Sequence, residues 1–204
     1  MCKKTILVVD DDITILTVMR KILEDVYDVS LAKSADAAWQ IMNNIEVDLI
    51  LLDVEMPKMS GLAFMDYLKE NNAFYYYCVP VIFVTAHARP EIIMQAKKCG
   101  VKDFTVKPVI PDVLLAKIKA LFDAKDTQPE NSLLHKIHLL DIACRMGKSG
   151  QVETLTKELK ELRSSSAIDS LVDEICAYAL NFDYGIAVEK ISVLIKNKLL
   201  AANV

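Results

Sequence analysis

Short apolar runs recur through the first 125 residues of the chain, each separated from the next by a longer amphipathic stretch. The runs are rich in β-branched residues and lie at residues 6–9, 29–32, 49–52, 81–84 and 104–106. Their apolar side chains stand at consecutive positions, which is typical of strands that are buried on both faces of a sheet. The pattern therefore predicts five strands of a parallel sheet.

The stretches between these runs have the spacing of amphipathic helices, with suitable residues where each helix would begin. Ser34 and Ser60 can cap a helix N-terminus, and Pro90 and Pro111 suit a first turn. Five strand–helix units in a row predict helices on both faces of the sheet. We therefore expect an α/β doubly wound domain over residues 1–125.

The pattern changes after residue 125. Residues 126–131 are polar, contain a proline and show no periodicity, which indicates a linker. From residue 132 to 204 the apolar positions favour a second, all-α domain. We predict its helices at residues 132–146, 151–163, 168–180 and 183–200. Their apolar faces would form an intramolecular bundle by default, although a dimer or a partner surface would use the same faces.

The composition narrows the class of protein. Of the 204 residues, 53% are hydrophobic and 25% are charged, and the net charge is -4. The chain is too apolar to be disordered and lacks the basic excess of many nucleic-acid-binding proteins. The five cysteines are widely spaced, so they predict neither a disulfide framework nor a zinc site. Because no stretch reaches the roughly 20 apolar residues of a membrane span, we expect a cytoplasmic protein.

Acidic residues follow the first and third predicted strands. Asp10, Asp11 and Asp12 come directly after the first strand, and Asp53 comes directly after the third. In an open parallel sheet, ligands bind beyond the carboxyl ends of the strands. Carboxylates gathered there repel one another unless a cation lies among them, and Mg²⁺ prefers oxygen ligands together with water and phosphate. The sequence therefore predicts a magnesium site at this edge.

Two further strand ends supply groups that suit a phosphoryl group. Thr85 offers a hydroxyl after the fourth strand, and Lys107 offers a cation after the fifth, each able to bind a phosphoryl oxygen. With the acids, they predict a site in which Asp53 is the nucleophile and Thr85 and Lys107 stabilise the transferred group. Each residue alone is an ordinary turn or strand-end residue, so the prediction depends on their joint order.

Four segments resemble the receiver domains of response regulators in two-component signalling. They are ILVVDDD (6–12), LILLDVEMPKMSG (49–61), VIFVTA (81–86) and FTVKP (104–108). The resemblance covers about residues 3–125 and implies the flavodoxin-like (βα)5 fold. It also implies Mg²⁺ as the cofactor and a sensor histidine kinase or phosphotransfer protein as the partner.

The resemblance implies a role for each acidic residue of the motifs. By this resemblance, Asp53 would be the phosphorylated residue. Asp11 would contact Mg²⁺ directly, and Asp10 would contact it mainly through water. Glu55 stands at the position whose backbone carbonyl binds the metal, so the implied metal site is Asp10, Asp11, Asp53 and Glu55.

The remaining motif residues match a conformational switch. Thr85 and Phe104 match the pair in which the hydroxyl moves toward the phosphoryl group and the aromatic ring turns inward, and Lys107 matches the motif lysine. Phe104 stands where tyrosine is often found. Glu55 and His87 are candidates for setting the lifetime of the phosphoryl group, with a plain surface-loop residue as the alternative for His87.

Two other features have competing interpretations. The aromatic run at residues 74–77 fits either a partner surface or a helix extension whose rings pack against the sheet edge. His135 and His138 lie in the segment LLHKIHLL, which lacks the small neighbours of a phosphotransfer histidine. Two ordinary histidines on a helix surface are the favoured interpretation.

The second domain decides what the protein controls. Residues 129–204 contain nine basic and ten acidic residues, without a basic recognition helix, so nucleic-acid binding is not favoured. The segments LTKELKEL (155–162) and ALNFDYGIAVEKISVLI (179–195) resemble short helical modules that follow receivers in hybrid kinases. We therefore expect a response regulator that signals through a helical protein-interaction or dimerisation domain.

We expect no enzymatic activity other than catalysis of the protein's own phosphorylation and dephosphorylation. We expect a downstream protein partner or a homodimer, and no association with a membrane. One alternative is a DNA-binding transcriptional regulator with an atypical helical domain. Another is a phosphorelay intermediate that uses both Asp53 and His135.

Overall fold

The five apolar runs form one parallel sheet in the computed structural model of the chain. The strands are β1 Thr5–Val9, β2 Asp28–Ala32, β3 Leu49–Asp53, β4 Val81–Thr85 and β5 Asp103–Val106. They lie in the order β2-β1-β3-β4-β5, the order of the flavodoxin-like doubly wound fold. The fold class predicted from the sequence is thereby confirmed. The structure describes residues 3–71, 73–87, 89–125, 130–161 and 167–201.

Helices connect the strands of this first unit, which spans Met1–Thr127. They are α1 Ile13–Leu23, α2 Ala35–Met42, α3 Gly61–Asn71, α4 Ala73–Cys78, α5 Pro90–Lys98 and α6 Pro111–Lys125. Ser34 and Ser60 each accept a hydrogen bond from a backbone N–H in the first turn of the following helix, both at 3.2 Å. Asp12 caps α1 in the same way, accepting from the Thr14 N–H at 2.7 Å. These bonds satisfy N–H groups that a helix start leaves without partners.

The central strands are buried on both faces, which explains why their apolar residues are consecutive. Every residue of β3 and β4 is buried. Leu49 and Leu51 pack in one cluster with residues of α1 and α6. Ile50 and Leu52 point to the opposite face and are buried as completely. The core of the first unit therefore lies on both sides of the sheet, and the strand ends are held rigidly.

The aromatic run forms the short helix α4, and one of its rings packs inside the unit. Tyr75 is fully buried, and its hydroxyl lies 3.1 Å from the Met42 carbonyl and 3.2 Å from that of Ile45. Both carbonyls belong to the end of α2 and the turn after it. The helix and the buried ring of Tyr75 agree with the helix-extension interpretation, while the hydroxyl contacts are with the end of α2. The side chains of Phe74 and Tyr77 lie outside the described residues.

The second unit, Gln128–Val204, is all-α as predicted. Its helices are α7 Glu130–Arg145, α8 Ser149–Glu161, α9 Ala167–Leu180 and α10 Tyr184–Ala201. Each helix packs against the next, and α10 also packs against α7, which gives a four-helix bundle. The helix α7 begins at residue 130, two residues before the predicted start at residue 132. Residues 126–129 and 162–166 lie outside the described part of the chain. None of the described helices is long and apolar enough to span a membrane.

His138 lies inside this helical unit. Its exposed fraction is 1%, so the prediction of two surface histidines is wrong for His138, while His135 is half-buried. The physical reason is that α7 packs against both α8 and α10, so its buried face is wider than a single apolar stripe. Asp141, three residues after His138 on α7, is also buried.

Asp141 is a carboxyl group in the helical core that pairs with a cation. Arg145 donates from Nε to Asp141 Oδ2 at 2.9 Å, and Oδ1 has no hydrogen-bond partner among the described residues. Burial raises the pKa of Asp141, and the hydrogen bond from Arg145 opposes this only in part. The neutral form is therefore favoured more in the folded chain than in the unfolded chain.

This raised pKa predicts a pH-dependent stability of the helical unit. A carboxyl with a raised folded-state pKa stabilises the fold below its ordinary pKa of 3.8, and that contribution disappears as pH rises through the folded value. The substitution Asp141→Asn keeps the site neutral at every pH. The free energy of unfolding of Asp141→Asn minus that of wild type should therefore increase as pH rises through this window and then level off.

Urea unfolding of the full chain at a series of pH values measures this difference. Far-UV circular dichroism reports both units, and fluorescence of Trp39, the one tryptophan in the chain, reports the first unit alone. The exposed Glu153→Gln is the matched control in the same unit. A difference for Asp141→Asn that does not change with pH, or that becomes less favourable, would contradict the assignment.

Candidate functional site

The sheet register brings four strand ends to one edge. Val9 pairs with Leu52 between β1 and β3, and Asp53 pairs with Val84 between β3 and β4. On the other side of β4, Thr85 pairs with Val106 of β5. The residues at and just beyond these ends therefore converge at the carboxyl edge, next to the point where the strand order reverses between β1 and β3.

Three carboxylates meet at this edge. Asp10, Asp11 and Asp53 each place an oxygen within 4.8 Å of the others. Asp10 and Asp53 are only 2% and 5% exposed, whereas Asp11 is exposed. The possible metal ligands are therefore all carboxylate oxygens, which are buried at Asp10 and Asp53 and open to water at Asp11. These are the features that suit Mg²⁺, which takes few protein carboxylates and keeps several waters.

Lys107 lies between the two buried carboxylates. Its Nζ is 2.7 Å from Asp10 Oδ2 and 2.8 Å from Asp53 Oδ2. Burial by itself lowers the pKa of Lys107, but the hydrogen bonds to the two acids outweigh it, so the pKa is raised. Burial raises the pKa of Asp10, and the hydrogen bond from Lys107 opposes that rise. One ammonium group thus offsets the repulsion between two buried acids.

The other oxygen of Asp53 is held by the backbone. The Glu55 N–H lies 3.2 Å from Asp53 Oδ1, so both carboxylate oxygens have a donor. The neighbouring Asp10 is held in the same way, with Oδ1 3.0 Å from the Asp12 N–H. These contacts fix the orientation of the two buried carboxylates.

The Thr85 hydroxyl is bonded within its own loop. It accepts from the His87 N–H at 3.1 Å and lies 3.2 Å from the His87 carbonyl. The His87 side chain extends in another direction, with Nδ1 3.7 Å from Glu55 Oε2. Both of these side chains are about half exposed, so Glu55 and His87 form a loose pair that joins the loops after β3 and β4.

Phe104 lies on β5 and is half-buried. Lys117 of α6 places its Nζ 5.5 Å from the centroid of the Phe104 ring. The structure thus gathers Asp10, Asp11, Asp53 and Lys107 in one cluster. The side-chain contacts described for the two predicted switch residues are with His87 for Thr85 and with Lys117 for Phe104.

Sequence reasoning missed one residue that the site requires. Gly61 begins α3 immediately after the loop that follows Asp53, and its N–H donates to the Val54 carbonyl at 3.0 Å. A Cβ atom at Gly61 would lie 2.3 Å from the carbonyl oxygen of Asp53. Only glycine permits the helix to approach the end of β3 so closely. The sequence signal was a glycine directly after the capping Ser60.

The parallel sheet with a buried acid cluster and a lysine at its carboxyl edge places the chain among doubly wound α/β domains with a site at the strand ends. The family model of the response regulator receiver domain matches residues 6–119. This match covers more than half of the chain. The chain therefore belongs to the response regulator receiver domain family, as its sequence motifs predicted.

A transcriptional regulatory protein and a chemotaxis protein are similar to this chain. The transcriptional regulatory protein ZraR of Escherichia coli K12 is 32% identical over 164 residues, which are 79% of this chain and 35% of that protein. The chemotaxis protein CheY of Pseudomonas aeruginosa is 29% identical over 120 residues, 58% of this chain and 95% of that protein. The chain thus spans about a third of ZraR but nearly all of CheY.

Solved structures agree with the fold. A CheY-like response regulator receiver domain protein from Methanospirillum hungatei JF-1 superimposes with a TM-score of 0.56 at 31% identity. The superposition covers 61% of this chain and 97% of that one. The similarity is therefore to the first unit.

Gly61→Ala tests the close approach at the acceptor strand. Because the added methyl group would meet the Asp53 carbonyl, the end of β3 must shift, and we expect the first unit to lose about 1–3 kcal/mol of stability. Urea unfolding followed by Trp39 fluorescence measures this loss. Gly185→Ala on α10, followed by far-UV circular dichroism because it lies in the helical unit, is the control: a Cβ there meets none of the described atoms within 4 Å and should be neutral or stabilising. A Gly61→Ala protein as stable as wild type would contradict the argument.

Proposed function

We propose that the chain is a response regulator of a two-component phosphorelay and is phosphorylated on Asp53 by a sensor histidine kinase or a phosphotransfer protein. One observation carries the proposal. Asp53 ends a fully buried strand with its carboxylate beside Lys107, Asp10 and Asp11. A nucleophile, a cation and a set of oxygen ligands for a metal are thereby within reach of a single phosphoryl group.

The transfer is an in-line displacement at phosphorus. An oxygen of Asp53 forms the new bond as the bond from phosphorus to the donor's imidazole nitrogen breaks. The electron pair of the broken bond stays on that nitrogen, which takes up a proton from water. Mg²⁺, held by Asp10, Asp11 and Asp53 with the Glu55 carbonyl, would supply positive charge that offsets the charge of the transferred group. The Glu55 N–H and Lys107 orient the carboxylate for attack.

After transfer, the same residues stabilise the product. Lys107 Nζ is close enough to Asp53 to move from a carboxylate oxygen to a phosphoryl oxygen. The Thr85 hydroxyl has to leave its bonds to His87 to do the same. The space it vacates is then available to the ring of Phe104. This exchange would convert a local change of charge at Asp53 into a change on the surface near β5.

The helical unit supplies the output, which we propose to be binding of a protein partner or a second copy of the chain. Apolar side chains at the turn from α9 to α10 and along α10 are exposed. They are Leu180, Phe182, Ile186 and Val193, of which Phe182 is the most exposed at 68%. An exposed apolar stripe on a helix suits a protein surface better than a phosphate backbone.

A DNA-binding transcriptional regulator is the second candidate. It draws on the similarity to ZraR, which is named a transcriptional regulatory protein. The slight acidic excess of residues 129–204 argues against it. Sequence-specific DNA binding by the full chain in a mobility-shift assay would favour this candidate over a protein partner. The relay through the helical unit has less support, because His138 is buried and His135 is half-buried.

Beryllofluoride, a mimic of a phosphoryl group on aspartate, tests the site directly. With Mg²⁺ it should shift the backbone amide signals of Thr85, Phe104 and Lys107 in the wild-type chain, because each is expected to respond to charge at Asp53. Asp53→Asn should remove the response. Two-dimensional ¹H–¹⁵N NMR spectra measure these shifts. An equal response in Asp53→Asn, or a wild-type response without Mg²⁺, would show that the acceptor or the metal site is misassigned.

We predict that the Glu55–His87 pair slows the loss of the phosphoryl group from Asp53. The two side chains join the loops on either side of Asp53, so removing either one should admit water more readily. We expect Glu55→Ala and His87→Ala each to shorten the lifetime about two- to tenfold, with no further shortening in the double variant. Rates of loss of acid-stable, hydroxylamine-labile label after phosphorylation by acetyl phosphate measure the lifetimes.

The exposed Glu70→Ala on α3 is the control and should match wild type. Additive effects of the two single variants would mean that Glu55 and His87 act independently. A lengthened lifetime in either single variant would mean that the side chain promotes the attack of water.

A further inference from the structure

Lys117 fastens α6 to the strand that carries Phe104. Its Nζ donates to Asp103 Oδ1 at 2.8 Å and to the Phe104 carbonyl oxygen at 2.7 Å. The same Nζ is 5.5 Å from the centroid of the Phe104 ring, within the range of a cation–π contact. Asp103 Oδ1 also accepts from the Phe104 N–H at 2.7 Å. Both backbone polar groups of Phe104 are thus held by the Lys117–Asp103 pair.

These bonds make the position of the cation independent of the ring. Lys117 Nζ is tied to a backbone oxygen and to a carboxylate, neither of which moves when Phe104 rotates about its χ1 bond. A rotation of the ring away from its present orientation therefore separates it from the cation, and the attraction between them is lost. The contact stabilises one orientation of Phe104 and not the other.

The Phe104 ring has this orientation while the Thr85 hydroxyl is bonded to the backbone of His87. The backbone of Phe104 is in β5, which pairs with β4 through Phe83 and Phe104. A ring that turns to fill the space beside Thr85 has to turn toward β4, whereas Lys117 approaches Phe104 from α6.

We propose that Lys117 is a positioning residue that holds Phe104 in the unswitched orientation and so raises the amount of activation needed to turn the ring. This inference rests on the proposed function, since it concerns the regulation of the same site. The change at Asp53 has to supply the energy of the lost cation–π contact before the ring can turn. At a partly exposed site this contact shifts a two-state equilibrium by about two- to fivefold.

The test is a titration of the full chain with beryllofluoride at saturating Mg²⁺. Ring ¹H–¹³C signals of labelled phenylalanine report the orientation of Phe104, and their absence in Phe104→Leu assigns them. We expect Lys117→Met to reach half-conversion at a beryllofluoride concentration about two- to fivefold lower than wild type. The ring signal of the variant should already lie closer to the activated position before any addition.

Three further variants separate the charge from a general structural effect. Lys117→Arg keeps a cation that can stack on the ring and should restore a midpoint near wild type. Lys119→Met removes an exposed lysine from the same helix and should leave the midpoint unchanged. Asp103→Asn releases one of the tethers of Lys117 and should lower the midpoint by less than Lys117→Met. Asp103→Asn provides a second measurement if thermal melts show that Lys117→Met is unfolded at the temperature of the titration.

Each outcome bears on one proposal or on both. A responsive wild type with the same midpoint in Lys117→Met, or failure of Lys117→Arg to restore the midpoint, overturns the role of Lys117 and leaves the proposed function intact. If both Lys117→Met and Asp103→Asn fold and neither lowers the midpoint, the role is overturned again. A wild type that does not respond, or that responds as strongly when Asp53 is replaced by Asn, overturns the proposed function and this inference together.

Discussion

The contact of Lys107 with two buried carboxylates is the interaction on which the site depends. Asp10 and Asp53 lie at the ends of neighbouring strands and are almost inaccessible to water, so their charges would repel strongly if nothing lay between them. Lys107 Nζ lies within 2.8 Å of both. Removing one partner of such a buried set would leave an uncompensated charge, which is costly in a folded protein. The same lysine is also the group that a phosphoryl oxygen on Asp53 would bind.

The fold provides this arrangement through the register of its parallel sheet. Because β1, β3, β4 and β5 end at one edge, residues that are distant in sequence meet there without long connecting loops. Gly61 brings α3 against the end of β3, and the Glu55 N–H holds the second oxygen of Asp53. The helical unit is a separate bundle with its own buried core.

Strands and site residues could be predicted from the sequence because their causes are local. Consecutive apolar residues signal buried strands, and acids directly after such strands have to meet at the carboxyl edge of a parallel sheet. The features that were missed depend on packing in three dimensions. His138 is buried because α7 packs against two helices, α8 and α10. The tether between Lys117 and Phe104 joins a helix to a strand and has no signature in either segment alone.

Asp53 is proposed to accept a phosphoryl group in a metal-dependent reaction. Intact-mass spectrometry after incubation with acetyl phosphate and Mg²⁺ gives a sharp test. One phosphoryl group should be added per chain, and it should be absent from Asp53→Asn and from wild type treated with a chelator. Phosphorylation of Asp53→Asn to the same extent as wild type would contradict the claim, and so would a wild-type chain that takes up no phosphoryl group under these conditions.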